Sequence, residues 1–282
     1  MKDVLTTRRT IIKTAAAGSV IGLTGTGFGA AVSTTAKQSK PGFNLGIASY
    51  TFRKFGLTET LDFTEILGLK YVSLKAMHLP LDSSQEQIHA VANQVKSLGL
   101  TLYGCGVIYM KSQEQVSKAF EYAKAGGMKT IIGVPSHDLL ELVDTKVKEY
   151  DIMVAIHNHG PSDKIYPDPK SIYERVKGLD SRIGICMDIG HTQRCGQDPS
   201  EEAIKYADRL HDVHLKDVNK ATAEGSTVEV GRGVIDIPKF IKTLSQIKYK
   251  GIAAFEFEKD GEAPMVGLAE SVGYVKGVMS VL

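Results

Sequence analysis

The 282-residue chain has no tryptophan and only three cysteines, Cys105, Cys186 and Cys195. Three well-separated thiols cannot make the disulfide framework that holds small secreted domains, so a packed core must hold this fold. At 43% hydrophobic and 23% charged residues the balance is globular, and the length can bury a sizeable core. A long, strongly apolar run is also missing. Five glycines between Gly18 and Gly29 interrupt the N-terminal apolar stretch, whereas a spanning helix wants ~20 consecutive apolar residues. Positive charge is not in excess. Residues 1–37 carry five basic groups and one acid, which leaves 29 basic and 31 acidic groups in the rest. A nucleic-acid binder needs the opposite sign, so no nucleic-acid partner is expected. No GxGxxG or phosphate-loop motif follows the first strand-like run, which argues against a dinucleotide or nucleotide enzyme.

The N-terminus reads Thr7-Arg8-Arg9-Thr10-Ile11-Ile12-Lys13, then a weakly apolar, glycine-rich run from Thr14 to Val32. Basic, apolar and small residues in that order make a secretory signal. The paired arginines before two isoleucines and a lysine resemble a twin-arginine export signal. We therefore expect residues 1–36 to be an export signal, cut near Ala31 or Ala36, and residues 37–282 to be a periplasmic domain without stable membrane insertion. No cysteine follows the apolar run, so lipid attachment is not supported.

From Asn44 onward, short apolar runs alternate with helical patterns. The expected strands are Asn44–Ser49, Tyr71–Lys75, Thr101–Val107, Thr130–Val134, Ile152–His157, Ile183–Asp188, Leu210–Lys216 and Ile252–Phe257. Several are almost continuously apolar, as strands buried on both faces should be. Helix starts lie between them: Ser83 with Glu86 and Ser112 with Gln115 at capping-box spacing, Pro199 in a first turn, and Pro238 just after Asp236. Strand starts recur at roughly 30 residues, the length of a βα unit. The pattern predicts an α/β fold, a closed (β/α)8 TIM barrel.

In such a barrel the active site stands at the carboxyl ends of the strands. Those ends carry His157-Asn158-His159-Gly160, Asp188-Ile189-Gly190-His191, His214-Leu215-Lys216-Asp217 and Glu256-Phe257-Glu258. Four successive strands thus deliver imidazole and carboxylate to one rim. That mix suits one divalent ion, Mn, Zn, Co or Fe, and disfavours Mg. Taken singly, His157 also reads as a core histidine. Glu258 shares the side-chain parity of Glu256 and competes with it as ligand. Lys216 reads either as a clamp on a developing enolate or as a surface lysine paired with Asp217. Tyr50, Lys75 and His78 follow the first two strands and are candidate substrate contacts, as is Arg232 in the seventh loop; packing under the rim and a solvated arginine are the plainer readings. Tyr166 and Asp168 fall in a possible lid loop.

The chain resembles the sugar phosphate isomerase/epimerase family with a xylose isomerase-like barrel, which includes ketose epimerases, inosose dehydratases and endonuclease relatives. The matching pieces are Met187-Asp188-Ile189-Gly190-His191, His214-Leu215-Lys216-Asp217, Gly231-Arg232-Gly233-Val234-Ile235-Asp236, and Tyr249-Lys250-Gly251 leading to Glu256. The resemblance implies metal ligands at His157, Asp188, His214 and Glu256. It also implies Glu256 as base, with His159, His191 or Lys216 as proton partners. His157 departs from the epimerases, which have glutamate there. An imidazole bound to metal has no lone pair left for a proton. The expectation is a metal-dependent enzyme acting next to the carbonyl of a small carbohydrate. Elimination, cleavage or dehydration of a keto-sugar is favoured over two-base epimerisation. A non-catalytic sugar-binding barrel and a metal-dependent phosphodiesterase are the rival readings.

Overall fold

The structure is a computed structural model that describes residues 42–282; the expected export signal lies outside the described residues. Eight parallel strands close a barrel: β1 (Asn44–Ala48), β2 (Tyr71–Leu74), β3 (Thr101–Met110), β4 (Thr130–Pro135), β5 (Met153–His157), β6 (Ile183–Asp188), β7 (Leu210–Leu215) and β8 (Ile252–Phe255). Each pairs with the next in sequence, and Asn44 opposite Ile252 joins β1 to β8. The xylose isomerase-like (β/α)8 expectation is met. Each strand leads into an outer helix: α1 (Leu57–Ile66), α2 (Gln85–Ser97), α3 (Gln113–Ala125), α4 (Leu140–Tyr150), α5 (Pro169–Val176), α6 (Ile189–Arg194) with α7 (Pro199–Lys205), α8 (Ile237–Gln246) and α9 (Met265–Ser280). Among the described residues no helix is long and apolar enough to cross a membrane.

Several strand ends differ from expectation by one residue, and three boundaries differ for identifiable local reasons. Helix α2 is capped one residue later than expected, by Ser84, whose hydroxyl accepts from Gln87 N while Gln87 Oε1 accepts from Ser84 N. Strand β3 runs past Val107, because Ile108, Tyr109 and Met110 resume pairing with Gly133, Val134 and Pro135 after a register shift. Gly106 permits that bulge: its φ is +142°, and a Cβ there would lie 2.1 Å from Ile132 O. Strand β8 stops at Phe255 because Phe257 N turns to donate to Thr51 Oγ1 at 3.0 Å.

Most apolar side chains pack between sheet and helices, where a contiguous cluster includes Ile47, Phe120, Ile156, Ile185 and Phe240. Inside the barrel a second cluster holds Ala48, Ala155, Cys186 and Ala254 with Tyr103 and Ile132. Small side chains on this inner floor leave room above it for larger polar groups. Arg209 is buried and donates to the carbonyls of Lys177, Leu179, Asp180 and Ile183 at 2.8–3.0 Å, tying the α5–β6 connection to β7.

Candidate active site

The last residues of β5 and β6, the penultimate position of β7, and the residue after β8 place His157, Asp188, His214 and Glu256 in one buried cluster. One ligand atom from each lies within 4.8 Å of the others. His157 Nε2 is 3.0 Å from His214 Nδ1, 3.6 Å from Asp188 Oδ2 and 3.8 Å from Glu256 Oε2. His214 Nδ1 is 3.2 Å from Glu256 Oε2. The local fold aims these groups. Asp188 caps α6 through His191 N at 2.7 Å, which fixes Oδ1 and turns Oδ2 to the cluster. Asn158 accepts from Asp188 N at 3.0 Å and donates to Thr192 Oγ1 at 3.2 Å, bracing β5 against α6.

Lys216 is the fifth member. Its side chain is 1% exposed, and Nζ donates to Glu256 Oε2 at 3.0 Å and to Glu258 Oε1 at 2.9 Å. It also stands 2.7 Å from Asp188 Oδ2 as an ion pair. The surface pairing with Asp217 does not occur. Asp217 instead accepts from the backbone N–H groups of Val218, Gly231, Gly233 and Ile235 and shapes the seventh loop. Gly190 makes space for the lysine stem, since a Cβ there would come within 2.8 Å of Lys216 Cγ.

Burial and mutual charge set the protonation states. Burial opposes charge on Lys216, yet Asp188, Glu256 and Glu258 hold its ammonium well above the ordinary lysine range. Burial would raise Glu256, but Lys216 and His214 hold it well below the carboxylate range. Asp188 is likewise held low by His191 and Lys216 against its burial. Burial pushes His157 down to about 3 and His191 to about 4, and lowers His159. Burial opposes charge on His214, but Glu256 and Asp212 raise it and favour its proton. The metal-free cluster therefore presents ionised carboxylates and a neutral His157, and a bound ion would displace the proton of His214. Three carboxylates face one ammonium. The donor set and the excess of negative charge fit a divalent ion.

The other expected residues divide. His159 lies beside His157 with ring centroids 4.5 Å apart, and His191 Nε2 is 3.9 Å from Asp188 Oδ2. Lys75 reaches the rim, donating to Val107 O at 3.3 Å, and it stands 5.2 Å over the Tyr50 ring. Two substrate candidates are not brought to the cluster. His78 is buried, with its ring nitrogens near Ser49 Oγ, Thr60 Oγ1 and two carbonyls, and so clamps the first loop. Arg232 pairs with Glu270 of α9 at 2.7 Å on the exposed surface. The lid expectation also fails. Tyr166 is fully buried and donates to Pro135 O, and Asp168 caps α5. Sequence reasoning missed Tyr109, whose hydroxyl sits 3.1 Å from His159 Nε2 with the rings stacked. Only the extension of β3 past its bulge could have signalled it.

The pattern of the family described as "Xylose isomerase-like TIM barrel" matches residues 61–277. The rhizopine catabolism protein MocC of Rhizobium meliloti is 25% identical over 130 residues, 41% of this chain and 39% of that protein. Inosose dehydratase of Clostridium perfringens is 24% identical over 238 residues, 77% of this chain and 71% of that one. The match thus spans about two fifths of the first relative's length and seven tenths of the second's. Among solved structures, an uncharacterized protein from Parabacteroides distasonis superposes with a TM-score of 0.67 at 26% identity, covering 83% of this chain and 98% of its own. The 3-keto-D-glucoside 4-epimerase of E. coli shares the fold with a TM-score of 0.69 at 15% identity, covering 83% and 99%.

Proposed function

The chain belongs to the xylose isomerase-like TIM barrel family, and on that footing we propose that it is a divalent-metal-dependent enzyme acting next to the carbonyl of a sugar or keto-sugar. Elimination or cleavage is its reaction, rather than two-base epimerisation. One observation carries this reading. Of the two carboxylates among the four clustered ligands, Asp188 commits Oδ1 to the cap of α6, which leaves Glu256 as the base, and His157 stands where the resembling epimerases have glutamate. His157, Asp188, His214 and Glu256 would hold the ion, which polarises the substrate carbonyl as a Lewis acid.

The chain's own groups then divide the work. Glu256 removes the proton α to the carbonyl. The Lys216 ammonium, kept charged by three carboxylates, stabilises the enolate oxygen. In a 3-keto-glycoside the α-carbon is C2 and the leaving group sits on C1. The C2–H bond breaks to Glu256, a C1=C2 bond forms, and the C1–O bond breaks. The proton on Glu256 returns to the departing oxygen on the same face. His159 and His191, neutral because of burial, are poor proton donors at neutral pH and suit hydrogen bonds to sugar hydroxyls. That moves them from the acid role expected of them to substrate positioning. Tyr50 and Lys75 complete the rim on the opposite side.

The test is to offer ketohexoses and 3-keto-glycosides side by side to the metal-loaded protein. Release of the aglycone, with slow or no epimerisation of free ketohexoses, is expected. Fast epimerisation with no aglycone released would overturn the reading.

A further inference from the structure

Directly beneath the four-ligand cluster the barrel carries a thiol that this reaction does not use. Cys186 precedes Asp188 by two residues on β6 and so points to the same inner side. It is in register with His157 on β5 and with Asp212 on β7. Its Sγ, a nitrogen of His157 and a nitrogen of His214 lie within 4.8 Å of one another, and all three residues are buried. His157 Nδ1 and His214 Nε2, in the same neighbourhood, have no hydrogen-bond partner. Around the thiol the floor carries Ala155, Ala254 and Ile132, with Tyr103 and the buried Asp212 as its polar members.

The imidazole pair is therefore shared by two donor sets. Above it stand the oxygens of Asp188 and Glu256; below it stands sulfur. Soft thiolate selects thiophilic ions, whereas carboxylate oxygens suit Mn. We propose that His157, His214 and Cys186 form an alternative ion position, one layer deeper in the barrel, that takes a thiophilic divalent ion such as Zn or Cd. It is exclusive of the first because each neutral imidazole has one lone pair. This rests on the reading that the four-ligand cluster binds a divalent ion. Coordination breaks the S–H bond and forms a sulfur–metal bond. The proton has an acceptor in place, because Asp212 Oδ1 already takes the S–H hydrogen bond at 3.7 Å. The other thiols do not compete: Cys105 lies in the outer core, and Cys195 donates to Pro167 O.

The test uses the full chain, stripped of metal by a chelator and titrated separately with Cd2+ and Mn2+. Cd2+ should produce a near-ultraviolet thiolate-to-metal absorption that saturates with binding. In Cys186→Ser that absorption should vanish, and Cd2+ affinity should fall by more than about 100-fold, exceeding the loss typical of an outer partner. Mn2+ affinity should change by less than about twofold, since the sulfur is not among its four donors. Cys186→Ala provides the same readout should the serine hydroxyl disturb Asp212. Tight Cd2+ binding without the absorption, or absorption that survives in both variants, overturns the inference and leaves the proposed function standing. Failure of Cd2+ alone to bind likewise overturns only the inference, and failure of both ions to bind overturns both readings.

Discussion

At the scale of the residue, a charged lysine set among carboxylates and imidazoles dominates the site. Replacing Lys216 by Met should lower kcat on a keto-glycoside by about 10²-fold, the usual effect of losing one oxyanion donor. It should also destabilise the metal-free protein by ~3 kcal/mol or more, because Asp188 and Glu256 lose their buried counter-charge. Steady-state kinetics and urea melts of one preparation check both. The imidazoles supply a pH signature. Below the unfolded value near 6.5, an unfolded His191 binds a proton that the folded side chain refuses until about pH 4. Stability therefore falls as pH drops through that window, by on the order of 3 kcal/mol. His191→Gln should lack this loss, so metal-free wild type and variant should converge between pH 7 and 4.5; parallel curves would remove His191 as the cause. The four clustered ligands were legible because a strand end fixes where a side chain points. Arg232 and His78 were not. Arg232 sits in a loop whose course is set by Asp217 accepting four N–H groups, and His78 is held by partners on three separate segments.

At the scale of the element, the sequence located every barrel strand to within a few residues, since apolar runs bounded by turns survive any reasonable choice of ends. Local hydrogen bonds decided what it misplaced, namely the α2 cap at Ser84 and the end of β3 beyond the Gly106 bulge. The second error hid Tyr109 and with it the partner of His159. Two substitutions probe how elements hold the site. Gly190→Ala puts a methyl within 2.8 Å of the Lys216 stem, so it should move the ammonium and reduce keto-glycoside turnover by about tenfold or more. The cooperative melt should remain, with overpacking costing about 1–3 kcal/mol; unchanged turnover would show that the lysine position is not critical. Arg209→Met leaves four carbonyls without their donor. It should cost ~3 kcal/mol or more in urea unfolding while metal content stays at the wild-type level.

At the scale of the whole molecule, the barrel closes through β1 and β8 within the described residues, and closure brings four consecutive strand ends to one rim. We propose that residues 1–36 serve export and contribute nothing to this closure. Their deletion should leave the cooperative melt and metal content intact, and an insoluble or non-cooperative product would move the boundary. The central claim is that His157, Asp188, His214 and Glu256 are a metal centre. Elemental analysis of wild type, Asp188→Ala and His214→Ala, purified alike and equilibrated with excess Mn2+ or Zn2+ before desalting, tests it most directly. The account predicts one divalent ion per wild-type chain and little or none in either variant; full occupancy in both variants would contradict it.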